Sequence, residues 1–208
     1  MGERAERTLF YDVPAEGYRE LYGEEQLKKY GAVFRGLNLD RVDKVLDIGC
    51  GIALLRDYLR SLEFRGLYVG LDLLEDRLRE ARKELDVGSD LVLADAHHLP
   101  FRGKSFNLTI MVTVIHLLDI ERALSELERV SRDASILTLL KKRIELEEKI
   151  LKGLARRFSG WRLKVLEELG IKDRAYLLWR EPKLISREQD HFPDIASPSQ
   201  DHEKPLKP

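Results

Sequence analysis

The stretch VLDIGCGIALL, residues 45–55, decides the fold class of this chain. It reads as an apolar strand interrupted by Asp47, then a turn at Gly49 and Gly51, then the start of a helix. A strand, glycine turn and helix N-terminus together form a ligand site rich in backbone N–H groups. The dehydrogenase pattern G-x-G-x-x-G needs a third glycine, but Leu54 stands there. Because a carboxylate on the strand repels a pyrophosphate, the turn favours a ligand with an ammonium group and no phosphate.

Apolar runs and amphipathic segments alternate after this turn. We expect strands at DKVLDIG, GLYVGLD, DLVLAD, FNLTIMV and ASILTLL, with helices between them. Asp119 suits the N-cap of the helix DIERALSELERV, and residues 143–158 predict another helix. WRLKVLEE and DRAYLLWRE, joined by LGIK, predict a late hairpin. Strands alternating with helices predict an α/β fold whose mostly parallel sheet has helices on both faces.

The N-terminal segment 18–34 predicts a helix over one edge of the core, with Leu27, Tyr30 and Phe34 at helical spacing on its buried side. We expect one domain over residues 1–180. Five of the seven prolines lie beyond it, so residues 181–208 predict a flexible, polar, Pro-rich tail.

Composition limits the class of protein. Of the 208 residues, 43% are hydrophobic, which excludes disorder of the whole chain, and 35% are charged. Many Lys, Glu and Arg with only two asparagines are typical of a heat-adapted organism. The charged N-terminus has no signal-peptide pattern and the longest apolar run is too short to span a bilayer, so we expect a cytoplasmic protein without membrane attachment. The single cysteine permits no disulfide and no cysteine-based zinc site, and we predict no metal.

Residues 141–180 carry twelve Lys and Arg against six Asp and Glu. A basic surface of this kind is one mark of nucleic-acid binding. The alternative is that helical pairs such as Glu145 with Lys149 and Glu148 with Lys152 neutralise the charge.

Acidic residues recur at the ends of the next two predicted strands. Asp72 is placed to bind both ribose hydroxyls, and Asp95 to accept from the exocyclic amine of adenine beside the backbone N–H of Ala96. Ribose, adenine and an ammonium group without a phosphate describe S-adenosylmethionine.

The motifs VLDIGCGIALL, YVGLDLLEDRL, LVLADAHHLPF and SFNLTIMVTVIHLLD resemble, in order and spacing, those of class I S-adenosylmethionine-dependent methyltransferases over about residues 18–180. The chain is most similar to small archaeal-type members that consist of the methyltransferase domain alone. The resemblance implies a Rossmann-like, seven-stranded sheet whose last strand is antiparallel. It implies S-adenosylmethionine as cofactor, bound by Asp47, Gly49, Cys50, Gly51, Asp72, Leu73, Asp95, Ala96 and Met111.

Two departures from the family pattern question the subfamily more than the chemistry. Asn107 stands where many members have aspartate, and SRDAS replaces the common Pro-Gly-Gly turn before the fifth strand.

The acceptor side is less clearly marked. MVTVIHLL replaces the Asn-Pro-Pro-aromatic turn of adenine and glutamine methyltransferases, and Cys50 lies in the cofactor turn, away from any role as the nucleophile of pyrimidine C5 methylation. An N or O nucleophile remains. His116 follows the fourth strand and is a candidate general base, with packing under the next helix as the alternative. For His97 and His98 we expect surface or pocket contacts.

The N-terminal segment resembles the lid helix of small methyltransferases, so Tyr11, Tyr18 and Tyr22 are candidates to close over the sulfonium or stack on the acceptor. TVIHLL also resembles the corresponding segment of wobble-uridine tRNA methyltransferases that work with a small activator subunit. The uncovered site and the basic region favour RNA, tRNA or a translation protein as acceptor. The alternatives are a small-metabolite methyltransferase and a cofactor-binding regulatory or scaffold subunit without turnover of its own.

Overall fold

The structure is a computed structural model that describes residues 14–167, 171–180 and 184. Within these residues five α-helices and seven β-strands alternate. In chain order they are α1 (Ala15–Phe34), β1 (Lys44–Ile48), α2 (Leu54–Ser61), β2 (Leu67–Asp72), α3 (Glu75–Arg82), β3 (Ser89–Leu93), β4 (Phe106–Met111), α4 (Ile120–Val130), β5 (Ser131–Leu140), α5 (Glu147–Arg157), β6 (Arg162–Leu166) and β7 (Asp173–Trp179).

The strands form a single sheet in the order β3-β2-β1-β4-β5-β7-β6. Strands β1 to β5 pair in parallel, whereas β7 runs antiparallel to both β5 and β6. The predicted fold class, including the antiparallel hairpin, is confirmed. Because the strand order reverses between β1 and β4, a crevice opens there at the carboxyl ends of the strands, where sheets of this kind bind ligands.

Helices cover both faces of the sheet. On one face α1 and α2 contribute Tyr30 and Leu55 to the core, and on the other α4 and α5 contribute Leu124 and Leu154. Successive residues of each central strand point to opposite cores, which is why these strands appear in the sequence as continuous apolar runs.

The first helix differs from its prediction. It begins at Ala15, before residue 18, and Leu27 is 48% exposed. Its buried face is formed by Gln26, Lys29, Tyr30, Val33 and Phe34. The prediction for Leu27 was wrong because the buried face of the helix contains an ion-paired lysine, Lys29, which apolar periodicity does not count.

The helix predicted over residues 143–158 is divided. Lys141–Leu146 form a 3-10 helix in which Arg143 has φ −114° and ψ 28°, and α5 begins only at Glu147. That backbone break shifts the start of the amphipathic helix, which periodicity alone does not reveal.

The departures from the family pattern lie at the amino ends of the strands. The side-chain oxygen of Asn107 accepts from the backbone N–H groups of Asp43 and Lys44 at 3.2 and 3.0 Å, and its Nδ2 donates to Asp133 Oδ2 at 2.8 Å. An aspartate at 107 has no donor for Asp133, so asparagine suits this position. The contact ties three strand ends together, at the edge of the sheet opposite the crevice.

Residues 1–13 and most of the predicted tail at 181–208 lie outside the described residues. Leu184, four positions beyond the predicted domain end, is buried, and its carbonyl accepts from the Asn38 N–H at 2.9 Å. In the described part of the chain, no helix combines the length and apolarity needed to cross a membrane.

Candidate active site

The glycine turn after β1 is fastened to the end of β2. The N–H groups of Gly49 and Cys50 donate to the carbonyl of Leu71 at 2.7 and 3.0 Å. Gly49, Gly51 and Ala53 have φ values of 74°, 55° and 61°, in the left-handed region that favours glycine. Both glycines line a cavity of about 300 Å³ at the carboxyl ends of the strands. The predicted strand, turn and helix are therefore present, and the turn faces the crevice.

Gly49→Ala should destabilise the fold more than Gly51→Ala does. Both glycines have positive φ, so alanine costs each position about 1 kcal/mol. A Cβ on Gly49 would lie 2.4 Å from Val114 Cγ2, whereas a Cβ on Gly51 meets no atom within 4 Å. The overlap should cost Gly49→Ala a further ~1–3 kcal/mol in urea unfolding. Equal losses in the two variants would show that Val114 moves aside at no cost.

Asp72 ends β2 and holds the glycine turn with its side chain. Its Oδ2 accepts from the Gly51 N–H at 2.8 Å, and its Oδ1 accepts from the Leu74 N–H at 2.9 Å. Burial raises the pKa of this carboxyl, while these backbone donors and the nearby Arg77 act to lower it. Each carboxylate oxygen keeps a further lone pair, so a ligand in the cavity can still bind to Asp72.

Asp95 forms a second fixed carboxylate after β3. Its Oδ1 accepts from both the backbone N–H and the Nδ1 of His97, at 2.8 and 2.7 Å. These bonds, led by the backbone N–H, lower the pKa of Asp95. The Nε2 of His97 accepts from the Asp119 N–H at 2.9 Å, so the proton of the neutral ring is on Nδ1. His97 thereby connects the loop after β3 to the N-terminus of α4.

Asp47 lies beneath the turn and not in the cavity lining. It is 4% exposed, and Tyr68 donates its hydroxyl to Asp47 Oδ2 at 2.7 Å. Burial raises the pKa of Asp47 to about 7. Cys50 is also buried, and burial raises the pKa of its thiol well above the ordinary value. A buried, protonated thiol is a poor nucleophile, in line with the predicted exclusion of pyrimidine C5 chemistry.

The cavity brings together most of the predicted site. Its lining includes Gly49, Gly51, Asp72, Leu73, Asp95, Ala96 and Tyr18. Asp47, Cys50, Met111, His116 and Tyr22 lie outside that lining, and Tyr11 lies outside the described residues. Six residues that the sequence did not single out also line the cavity: Arg77, Val112, Thr113, Val114, Leu117 and Leu118. Val112, Thr113 and Val114 directly follow the end of β4, which was the available signal.

His116 is 9% exposed in the 3-10 turn Ile115–Leu117, whereas the next residues, Leu117 and Leu118, line the cavity. His116 interacts electrostatically with Glu145, which follows β5. Its role as a general base stays a prediction.

Tyr18 and Arg77 form one wall of the cavity. The guanidinium carbon of Arg77 lies 4.5 Å from the centroid of the Tyr18 ring, and Arg77 is 3% exposed. The Tyr22 ring centroid lies 5.0 Å from that of Tyr18, and Tyr22 is not part of the lining. The predicted lid helix therefore places one of its described tyrosines in the cavity and supports it with the other.

The comparison with known families agrees with this architecture. Residues 46–139, from β1 to β5, match the family model described as a methyltransferase domain. Residues 46–139 carry a methyltransferase domain, and the fold is that of class I S-adenosylmethionine-dependent methyltransferases. S-adenosylmethionine, the cofactor predicted from the sequence, is the cofactor of this class.

Relatives of the methyltransferase domain are distant. An uncharacterized protein of Methanocaldococcus jannaschii is 26% identical over 181 residues, covering 80% of this chain and 69% of that protein. Three further curated relatives are 32–35% identical, and the chain matches between 24% and 59% of their lengths. Magnesium protoporphyrin IX methyltransferase from Synechocystis PCC 6803, solved with bound S-adenosylmethionine, has a TM-score of 0.64 at 18% identity, covering 86% of this chain and 97% of that one. A Haloferax volcanii methyltransferase, solved in complex with the Trm112 methyltransferase activator, has a TM-score of 0.59 at 15% identity, covering 80% and 93%. These two structures share the fold.

The residues of the methyltransferase domain fit the cofactor. Gly51 lines the cavity with open space where a Cβ would stand, so a ligand can approach its backbone closely. Asp72 and Asp95 present carboxylate oxygens suited to hydroxyl and amine donors and unsuited to a phosphate.

Proposed function

We propose that this protein transfers the methyl group of S-adenosylmethionine to an N or O nucleophile of a macromolecule, RNA or a protein of translation. The coarse activity, S-adenosylmethionine-dependent methyl transfer, follows from the domain. The proposal for the acceptor rests on the uncovered cavity. Within the described residues, α1 contributes Tyr18 to the cavity lining, and each segment that joins two of the strands β1 to β5 holds no more than one short α-helix and its loops.

The two carboxylates are proposed to bind and orient the cofactor. Asp72 takes the ribose hydroxyls with the lone pairs left free by Gly51 and Leu74, and Asp95, fixed by His97, accepts from the adenine amine. The cofactor supplies an electrophilic methyl group on a sulfonium. Tyr18 and the apolar residues after β4 exclude water and align the acceptor, so that proximity supplies much of the rate.

The described acceptor end of the cavity holds no ionisable side chain. Val112, Thr113, Val114, Leu117 and Leu118 line it. None of these side chains can act as a general base. The methyl acceptor therefore needs a lone pair that is already available at neutral pH. Imidazole-type ring nitrogens and carboxylates meet this condition, whereas a lysine amine, protonated at neutral pH, does not. The role predicted for His116 would require the side chain to reach the cavity from behind this wall.

The basic region contributes less to the proposal than its composition indicates. At least six of its twelve Lys and Arg lie in ion pairs: Arg143 with Glu145, Lys152 with Glu148, Arg156 and Arg157 with Glu121, Lys172 with Glu25, and Arg174 with Glu147. Paired surface charges attract phosphates weakly. The proposal of RNA as acceptor therefore depends on the uncovered cavity more than on the basic region.

The proposal is tested by incubating the protein with radiolabelled S-adenosylmethionine and lysate of its source organism. We expect label in the RNA or the protein fraction, and no label with the Asp72→Ala variant. Label confined to small molecules would contradict a macromolecular acceptor. Cofactor binding without any label would contradict independent turnover and favour either a regulatory subunit or the need for a partner.

A small activator protein is the second candidate, because apolar side chains are exposed around the edge strand β3. Leu85 and Val87, just before β3, are 38% and 100% exposed, and Leu93 at its end is 56% exposed. Leu73, 59% exposed, lies beside Leu93 because Asp72 pairs with Leu93 in the sheet. An exposed strand edge with apolar neighbours is suited to protein binding. A purified complex that gains label where the isolated chain has none would support this candidate.

A further inference from the structure

A buried charged network joins helix α1 to the carboxyl end of the sheet. Lys29, 1% exposed, places its Nζ 2.9 Å from Asp173 Oδ1 and 3.1 Å from Glu25 Oε1, and donates to Thr113 Oγ1 at 3.0 Å. Asp173 Oδ2 accepts from the hydroxyls of Thr113 and Thr138, at 2.8 and 2.6 Å. The Thr113 N–H donates to Thr138 Oγ1 at 2.8 Å. Both hydroxyls thus act as donor and acceptor at once, in a fixed order.

The centre of this network is in an unfavourable backbone conformation. Thr113 has φ 60°, in the left-handed region, where a β-branched residue is uncommon and costs about 1–3 kcal/mol. The backbone N–H and the side-chain hydroxyl of Thr113 both bond within the network, which holds the residue in place. Thr113 also lines the cavity, between Val112 and Val114. Residues kept in strained conformations at a cavity are commonly functional.

We infer that Lys29 and Asp173 are positioning residues, which act through Thr113 to fix the backbone at the acceptor end of the cavity. Val114 depends on this conformation, because its side chain packs against Gly49 in the cofactor turn. The network therefore sets the distance between the turn that faces the cofactor and the wall that faces the acceptor. Neither Lys29 nor Asp173 lines the cavity itself.

Lys29 and Asp173 are needed together. Each is almost completely buried, so removal of one leaves the charge of the other without its closest partner. Lys29 lies on the same helix as Tyr18, and Asp173 begins the antiparallel strand β7. The network thus joins the cavity wall formed by α1 to the acceptor loop through β7.

Amide hydrogen exchange of the full chain, followed residue by residue by NMR, tests this inference without a known acceptor. In Asp173→Asn and in Thr113→Val, the amides of residues 112–114 should exchange at least about tenfold faster than in the wild-type chain, because hydrogen bonds that hold Thr113 are lost. Thr113→Ser keeps the hydroxyl and should keep the protection. The double variant should exchange no faster than the faster single variant, since both changes act on one contact.

Thr109→Val is the matched control. Thr109 is a fully buried threonine bonded to Ser131 and Ser135, outside the cavity lining, so its loss should lower the melting temperature and leave exchange at 112–114 unchanged. If Asp173→Asn also lowers only the melting temperature, the pair is structural and the inference fails. A second reading uses the acceptor fraction labelled by the wild-type chain, and this arm alone rests on the proposed function. There Asp173→Asn should lower single-turnover transfer about tenfold, with the Kd of S-adenosylmethionine within twofold.

Discussion

An Asp72→Ala variant should bind S-adenosylmethionine at least about a hundredfold more weakly than the wild-type chain. The proposed contacts of Asp72 with the ribose are two hydrogen bonds to a carboxylate, worth about 1.5–3 kcal/mol each, and alanine can make neither. The variant also removes the acceptor of the Gly51 and Leu74 N–H groups, so the glycine turn loses its link to the end of β2. Calorimetric titration with S-adenosylmethionine measures the effect directly.

Two further variants separate ligand binding from folding. Asp72→Asn keeps one acceptor oxygen and should lose about tenfold in affinity, between the wild-type chain and alanine. Glu75→Ala removes an exposed acid of the adjoining helix whose partner, Arg79, is also on the surface, and should leave the affinity unchanged. Wild-type affinity in Asp72→Ala, in a chain that unfolds at its normal temperature, would remove Asp72 from the site.

The stability of the Asp47→Asn variant, measured relative to the wild-type chain, should be greater at pH 8 than at pH 5. The pKa of Asp47 is about 7 in the folded chain against an ordinary value of 3.8, so the folded chain holds a proton that the unfolded chain releases. This proton stabilises the fold fully below pH 3.8, and the contribution is lost as the pH rises to about 7. The complete difference corresponds to up to about 4 kcal/mol.

The measurement compares free energies of unfolding in urea at several pH values. Because other groups titrate equally in both chains, the wild-type value minus that of Asp47→Asn should fall by about 2–3 kcal/mol between pH 5 and pH 8. Asp90→Asn, which removes an exposed carboxylate from β3, controls for the loss of one surface charge. A difference that stays constant with pH would show that Asp47 is ionised in the folded chain throughout the range.

The sheet could be predicted because its central strands are buried on both sides. Such strands can be recognised as mainly apolar runs bounded by turn residues, as in VLDI and LTIM. The N-cap of α4 at Asp119 is also a local signal, and its hydrogen bond from the Arg122 N–H confirms it. Leu27 was misplaced because the inner stripe of α1 contains Lys29. A lysine can be buried only if its partners are present, and Asp173 is distant in the sequence.

The carboxylates of the candidate site could be predicted from the sequence, whereas most residues of the cavity walls could not. Asp72 is the last residue of β2 and Asp95 comes two residues after β3, at the carboxyl ends of the strands where sheets of this kind bind ligands. Arg77 and Thr113 depend on tertiary contacts, a tyrosine ring in one case and a left-handed backbone in the other, which spacing does not encode. His116 has a side chain that could act as a base and follows β4 in the sequence, but in the structure it is buried and is not part of the cavity lining.

The bridge made by His97 has a consequence for how molecules enter and leave. The segment from Thr113 to Asp119 is fastened at its start by Thr138 and Asp173 and at its end by the imidazole. Because this segment is held by hydrogen bonds at both ends, we do not expect it to move aside to open the cavity. We therefore expect cofactor and product to exchange on the other side of the cavity, where the first turns of α1 carry Tyr18 ahead of the anchor at Lys29.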